Sequence, residues 1–278
     1  MKLYKTPTLF ILEKDNSFYQ LPHTDWDTLV NRDDLFQFLK SESEQISPIT
    51  DPDFLAKQTI LAPIGTQEVW ASGVTYMKSK TARMEEAEQS GGGSFYDKVY
   101  DAERPELFFK ATPNRVVGTG GKVRIRKDST WNVPEPELTL FITSSGKIVG
   151  YTAGNDMSSR SIEGENPLYL PQAKTYDGAA ALGPCLYIPE SPIASDAKIM
   201  LQISRNGQVM FLGDIEINQM KRSHTELVGF LFRECSFATG CFLMTGTGLV
   251  PPNEFTLLSN DEIKIEIEHI GVLTNLVA

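Results

Sequence analysis

The chain has 278 residues, of which 41% are core-forming and 22% charged. That balance excludes a disordered chain and supports one large domain, or one with a small appendage. Lysine and arginine number 26 against 36 acids, a formal net charge of −10. Nucleic acid and anionic membranes require clustered cations, so neither is an expected partner.

Cys185, Cys235 and Cys241 are odd in number and lack paired spacing. They suit small buried hydrophobes in a reducing compartment better than a disulfide framework. Residues 1–16 mix polar and apolar side chains around Pro7, unlike a secretory leader. No apolar run approaches the ~20 residues of a membrane helix. The expectation is a cytoplasmic protein.

In chain order, residues 2–21 read as a strand pair turning at Asp15-Asn16, with Pro7 confining the first strand to an edge. Asp25 to Lys40 has helical spacing in Trp26, Leu29, Leu35 and Leu39. Ile46 to Gln67, punctuated by Pro48, Pro52, Pro63 and Gly65, reads as a connection. These features divide the chain into a small N-terminal module, 1–66, and a larger unit, 67–278. Val69 to Thr75 is strand-like and Lys78 to Gln89 reads as a charged helix. Gly91-Gly92-Gly93 reads as a flexible loop, because it lacks the Gly-Lys-Ser/Thr ending of a phosphate cradle.

From Leu107 the chain is β-rich. Strands are predicted at Leu107–Phe109, Val123–Ile125, Leu138–Ile142 and Ile148–Thr152. Asn206-Gly207 marks a hairpin between Ile199–Ser204 and Val209–Leu212. Thr225 to Cys235 is a helix candidate capped by Thr225. Ile263, Ile265 and Ile267 alternate with charges, as in a half-buried strand. The fold class is α+β and β-rich: a mixed β-roll or sandwich with a few helices.

Pro134-Glu135-Pro136-Glu137 is the most unusual stretch. On an extended backbone Glu135 and Glu137 share a face, and the prolines place them at a strand's rim or beginning. A solvated edge bearing two acids is the alternative to a metal site. Gly150 to Asp156 then ends a second strand joined to the first by a short turn, and Asp156 is placed to add a third carboxylate. Three hard oxygen ligands suit Mg²⁺ or Mn²⁺, leaving open positions for a bidentate 2-oxo acid.

These residues, with Asn155-Asp156-x-x-x-Arg160, Lys174-x-x-Asp177, Leu182-Gly183-Pro184 and Thr245-Gly246-Thr247-Gly248, resemble the fumarylacetoacetate hydrolase superfamily from about Val69 onward. The resemblance implies a β-roll catalytic unit at 67–278, a divalent cation on Glu135, Glu137 and Asp156, a 2-oxo acid substrate, and a homodimer or homotetramer. Hydrolases of the superfamily use a histidine after Gly-x-x-Tyr. Here Gly73-Val74-Thr75-Tyr76 is followed by none, and His23, His224 and His269 all lie elsewhere in the sequence.

The runs Tyr100 to Lys110 and Asp128 to Glu137 are instead similar to the 2-keto-3-deoxy-D-arabinonate dehydratase-like members. That similarity implies a lyase with Glu106 and Lys174 as catalytic groups. A structural ion pair of Glu106 with Lys110 or Arg104, and a surface position for Lys174, are the alternatives. Thr245, Gly246, Thr247, Tyr76 and Lys110 are expected to bind substrate, and Arg160 to orient Asp156. A metal-dependent C–C hydrolase of acylpyruvates or diketo acids is the rival activity.

Overall fold

The computed structural model describes residues 1–86 and 98–278. The N-terminal stretch forms three strands, β1 (Lys2–Lys5), β2 (Phe10–Lys14) and β3 (Ser17–Leu21). Asp15 and Asn16 take φ of 50° and 60° at the β2–β3 turn, the left-handed pair that a two-residue hairpin needs. Pro7 falls in the β1–β2 connection. Contrary to the edge expectation, β1 is interior, paired with β2 on one side and β12 (Ala180–Tyr187) on the other.

The helical spacing after Asp25 resolves into α1 (Trp26–Val30) and α2 (Leu35–Gln45). Between them Asn31 donates to the Ala238 carbonyl and accepts from the Ser144 amide. A side chain engaged in that way anchors the connection to distant loops at the point where the helix breaks.

Next come β4 (Glu68–Gly73), α3 (Met77–Glu86) and β5 (Glu106–Ala111). Residues 87–89 of the expected helix and the triple glycine lie outside the described residues. Short strands β6 (Val116–Val117), β7 (Lys122–Val123) and β8 (Asn132–Val133) lead into β9 (Pro136–Ile142) and β10 (Ile148–Asp156). After β11 (Ser158–Ser159) come two short helices, α4 (Arg160–Glu165) and α5 (Leu170–Lys174). Beyond β12 lie β13 (Lys198–Arg205) and β14 (Gln208–Glu216), turning at Asn206 and Gly207 with φ of 52° and 79°. Helix α6 (His224–Leu231) is capped by Ser223, whose side chain accepts from the Glu226 amide, so the cap lies two residues before the expected Thr225. Strands β15 (Cys241–Met244), β16 (Glu262–Ile267) and β17 (Gly271–Val277) complete the chain.

Two sheets carry the architecture. The larger has the order β3-β2-β1-β12-β10-β9-β15-β4-β5, with β6 beside β12; the smaller has the order β14-β13-β16-β17-β7. Leu138, Leu140 and Ala153 of the first pack with Ile199, Leu201, Ile263, Ile265 and Leu273 of the second in one core. A second core on the other face joins Phe141, Phe242 and Leu182 to Leu29, Leu35 and Leu39 of α1 and α2. Strand β9 is therefore buried on both faces along its whole length. Cys185 and Cys241 are buried as expected, whereas Cys235 is exposed because α6 ends before reaching it.

Candidate active site

Glu135 immediately precedes β9, Glu137 lies within it, and Asp156 is the last residue of β10. The two strands are antiparallel with Gly154 opposite Glu137, and the Asp156 amide donates to the Glu135 carbonyl at 2.9 Å. That register brings the three carboxylates together. One oxygen of each lies within 4.8 Å of the others, and the residues are 4%, 1% and 1% exposed. The solvated-edge alternative does not hold.

Buried anions require compensation. Lys174 Nζ lies 2.6 Å from Glu135 Oε2, 3.1 Å from Asp156 Oδ2 and 2.5 Å from Ser158 Oγ. Arg160 Nη2 reaches Glu135 Oε1 at 2.6 Å, and Lys110 Nζ reaches Asp156 Oδ1 at 2.5 Å. Glu137 instead accepts the Gly246 amide at 2.6 Å. The electrostatics follow from this asymmetry. Burial, then Asp156 and Glu135, push the Glu137 carboxyl well above the usual range. Burial would raise Asp156 too, but Lys110 and Lys174 outweigh it and hold that carboxyl low.

A small pocket opens onto the trio. Lys174, Thr247, Ser72, Gly73, Val74 and Phe108 are among the side chains and backbone that line it. The Phe108 ring centroid is 5.9 Å from the Lys174 ammonium. Lys174 is fully buried, not a surface charge. Glu106 opens β5 directly across from Gly73. Its Oε2 is buried and has no hydrogen-bond partner among the described residues. The proposed alternative pairing with Lys110 is absent, because that ammonium faces Asp156 and the carbonyls of Met157 and Lys174.

The other sequence-derived positions divide. Thr247 lines the pocket. Thr245 donates to the Leu138 carbonyl, which turns it into the sheet, and Gly246 holds a protein carboxylate rather than facing open space. Tyr76 is buried with no partner for its hydroxyl among the described residues, and burial plus the Glu137 charge raise that phenol's pKa. Lys110 does not line the pocket; it stands behind Asp156. Arg160 meets Glu135 instead of Asp156, because its amide donates to the Trp131 carbonyl and starts the side chain beside the Glu135 strand. No spacing in the sequence singles out Ser158 or Phe108; only spatial proximity to Lys174 reveals them. Val74, at φ 54°, is a β-branched residue in left-handed backbone on the pocket wall. No histidine lines this pocket: His23 faces Glu42, His269 stacks on Tyr187, and His224 is held neutral by burial beside Tyr151.

Three converging carboxylates are a hard-oxygen donor set of the kind that holds Mg²⁺ or Mn²⁺, and the residues present fit such an ion. This cluster, set at the strand ends of a β-roll, is a candidate metal centre of the kind a metal-dependent enzyme uses. The family description "Fumarylacetoacetate (FAA) hydrolase C-terminal" matches residues 69–278, and the chain belongs to the fumarylacetoacetate hydrolase family. It is 44% identical over 240 residues, 86% of this chain and 81% of the relative, to a Haloferax volcanii protein described as "Probable 2-keto-3-deoxyxylonate dehydratase". It is also 44% identical over 218 residues, 77% and 72% of the two chains, to the 2-dehydro-3-deoxy-D-arabinonate dehydratase of Saccharolobus solfataricus. A solved 2-keto-3-deoxy-D-arabinonate dehydratase, complexed with magnesium and 2,5-dioxopentanoate, superposes with a TM-score of 0.86 at 35% identity, covering 100% of this chain and 98% of that one.

Proposed function

We propose that the protein is a Mg²⁺-dependent dehydratase converting a 2-keto-3-deoxy pentonate to 2,5-dioxopentanoate. The observation that carries this reading is the acid trio and Lys174 lining a pocket with no histidine, with the unpartnered Glu106 Oε2 lying opposite Gly73 of its wall. The named relatives support the substrate class.

Glu135, Glu137 and Asp156 would hold the cation. When bound, it supplies electrophilic polarisation of the 2-oxo acid, which acidifies the C3 protons. Glu106 Oε2 is the atom free to take the C3 proton, and the carboxylic acid so formed can return it to the departing C4 hydroxyl. One C–H and one C–O bond break, a C3–C4 double bond forms, and water leaves. Moving a proton from C5 to C3 shifts the double bond to C4–C5, and the resulting enol passes its hydroxyl proton to C4, which yields the C5 aldehyde. Lys174, with donors engaged by two carboxylates and a hydroxyl, contributes positive charge at the pocket wall. Phe108 adds an apolar wall to the pocket. No water needs activation, so a histidine base is not required; a C–C hydrolase would lack its base.

Val209, Met210 and Leu212, exposed on the edge strand β14, support assembly into a homodimer or homotetramer, which sedimentation would test. A cytoplasmic location is part of the same reading; among the described residues no helix is long and apolar enough to cross a membrane. The deciding experiment incubates the protein and Mg²⁺ with a panel of 2-keto-3-deoxy acids and weighs the products. One dioxo acid, lighter than substrate by a water, is expected; two fragments would establish hydrolysis instead.

A further inference from the structure

We infer that Arg222, remote in sequence from every residue of the pocket, is a positioning residue for Glu106. The inference rests on the reading of Glu106 as the proton-transferring group. Arg222 precedes α6 and is 6% exposed. Its guanidinium donates to the main-chain carbonyls of Val99 at 3.2 Å, Ala102 at 2.6 Å and Glu103 at 3.2 Å, and to the Glu226 carboxylate at 2.5 Å. The neighbouring Lys221 ammonium donates to the Tyr100 carbonyl at 2.6 Å and to Asp101 Oδ1 at 2.5 Å. Two adjacent cations thus hold the main chain of 99–103. Arg104 and the buried Pro105 follow, and then Glu106. A buried arginine whose planar donor fork is directed at main-chain carbonyls determines a chain path.

The same stretch also grips the facing wall of the pocket. The Lys221 amide donates to the Thr75 carbonyl at 2.9 Å, and Met220 bridges to Tyr76. Thr75 and Tyr76 directly follow Gly73 and Val74, which line the pocket. Val74 packs against Val99 and Tyr100, within the segment held by Arg222 and Lys221. Its φ of 54° is unfavourable for a β-branched residue, and such a conformation persists only where its surroundings enforce it. Residues 220–222 therefore clamp the end of β4 to the approach of β5, the two segments that meet at the Gly73–Glu106 pair. None of the bonds of Arg222 reaches Glu135, Glu137 or Asp156. Its influence on Glu106 is accordingly separable from cation binding.

The test uses the full-length, Mg²⁺-loaded protein and its Arg222→Ala and Arg222→Lys variants, alone and combined with Glu106→Gln. A displaced proton-transfer group predicts that Arg222→Ala lowers kcat about 10- to 100-fold, with Mg²⁺ affinity by calorimetry unchanged. Arg222→Lys, or guanidinium added to Arg222→Ala, restores part of the loss. In the Glu106→Gln background neither substitution lowers kcat further. An additive loss in that background, or a loss that follows Mg²⁺ affinity, overturns the inference. Should Arg222→Ala not fold, the Arg222→Lys/Glu106→Gln cycle carries the same comparison. Wild-type turnover in Glu106→Gln alone would instead remove the acid–base reading, an outcome distinct from an additive cycle.

Discussion

Gly73 lies directly beneath the Glu106 carboxylate: a methyl group built on its Cα would sit 2.0 Å from Glu106 Oε2. The two residues face each other across β4 and β5. Gly73 does not have a positive φ, so its backbone tolerates alanine and the flexible carboxylate is what must move. Gly73→Ala is expected to lower kcat toward that of Glu106→Gln, itself reduced about 10²- to 10⁴-fold. Melting temperature and Mg²⁺ affinity should be unchanged. Steady-state kinetics beside calorimetry checks this, and wild-type turnover in Gly73→Ala would exclude Glu106 as the mobile proton carrier.

Gly246 should respond differently. Its φ is +93°, and an added Cβ would meet Thr75 Oγ1 at 2.0 Å and the Ser72 carbonyl at 3.0 Å. Backbone strain of about 1–3 kcal/mol follows, and the amide is pulled from Glu137. Gly246→Ala is expected to lose both stability and Mg²⁺ affinity, measured by denaturant unfolding and titration.

The raised Glu137 carboxyl sets a pH dependence. Because its folded pKa lies above the ordinary 4.5, the metal-free protein keeps a proton there to higher pH than an ordinary carboxyl does. Its contribution to stability is complete below 4.5 and is lost as pH rises through the folded value. A divalent cation replaces that proton, so its affinity rises with pH. The Mg²⁺-induced increase in melting temperature should widen as pH climbs above 4.5, and Glu137→Gln should flatten it. A shift independent of pH in the native protein would contradict the raised Glu137 carboxyl.

Lys110→Met removes the cation behind Asp156 and leaves a buried carboxylate oxygen and two carbonyls without their donor. Breaking one side of a buried pair costs about 3–5 kcal/mol. Chemical denaturation of the metal-free variant measures it; a loss below the 1 kcal/mol typical of surface pairs would mean that Asp156 finds another partner.

Local pattern made much of the site legible. The proline-flanked Glu135 and Glu137 share a face because strand geometry leaves no other arrangement, and Asp156 ends the strand that the Ser144–Gly146 turn returns alongside. Alternation likewise located β16, and Asn206-Gly207 its neighbouring hairpin. What local pattern does not carry is which strand lies next to which. Glu137 and Thr139 are polar residues on a strand buried on both faces, so alternation there reports no solvent side. The partner of Gly246 depends on β15 entering between β9 and β4. Arg160 meets Glu135 because its backbone is tied to Trp131, a contact between segments that no spacing encodes. Pro7 signals an edge strand by its missing donor, yet it lies beyond the last paired residue of β1 and withholds nothing from the ladder.

The bond from Gly246 to Glu137 spans 109 positions of chain, and β15, which delivers it, wedges between two strands made much earlier. Pairings of such long range are slow to close. On the ribosome, Glu135, Glu137 and Asp156 emerge as a repelling cluster well before that amide exists. The nascent chain therefore cannot acquire a competent chamber by halves; competence arrives only when β15, third from last of the strands, docks, and a product truncated before β15 would be inert however well its earlier strands had folded.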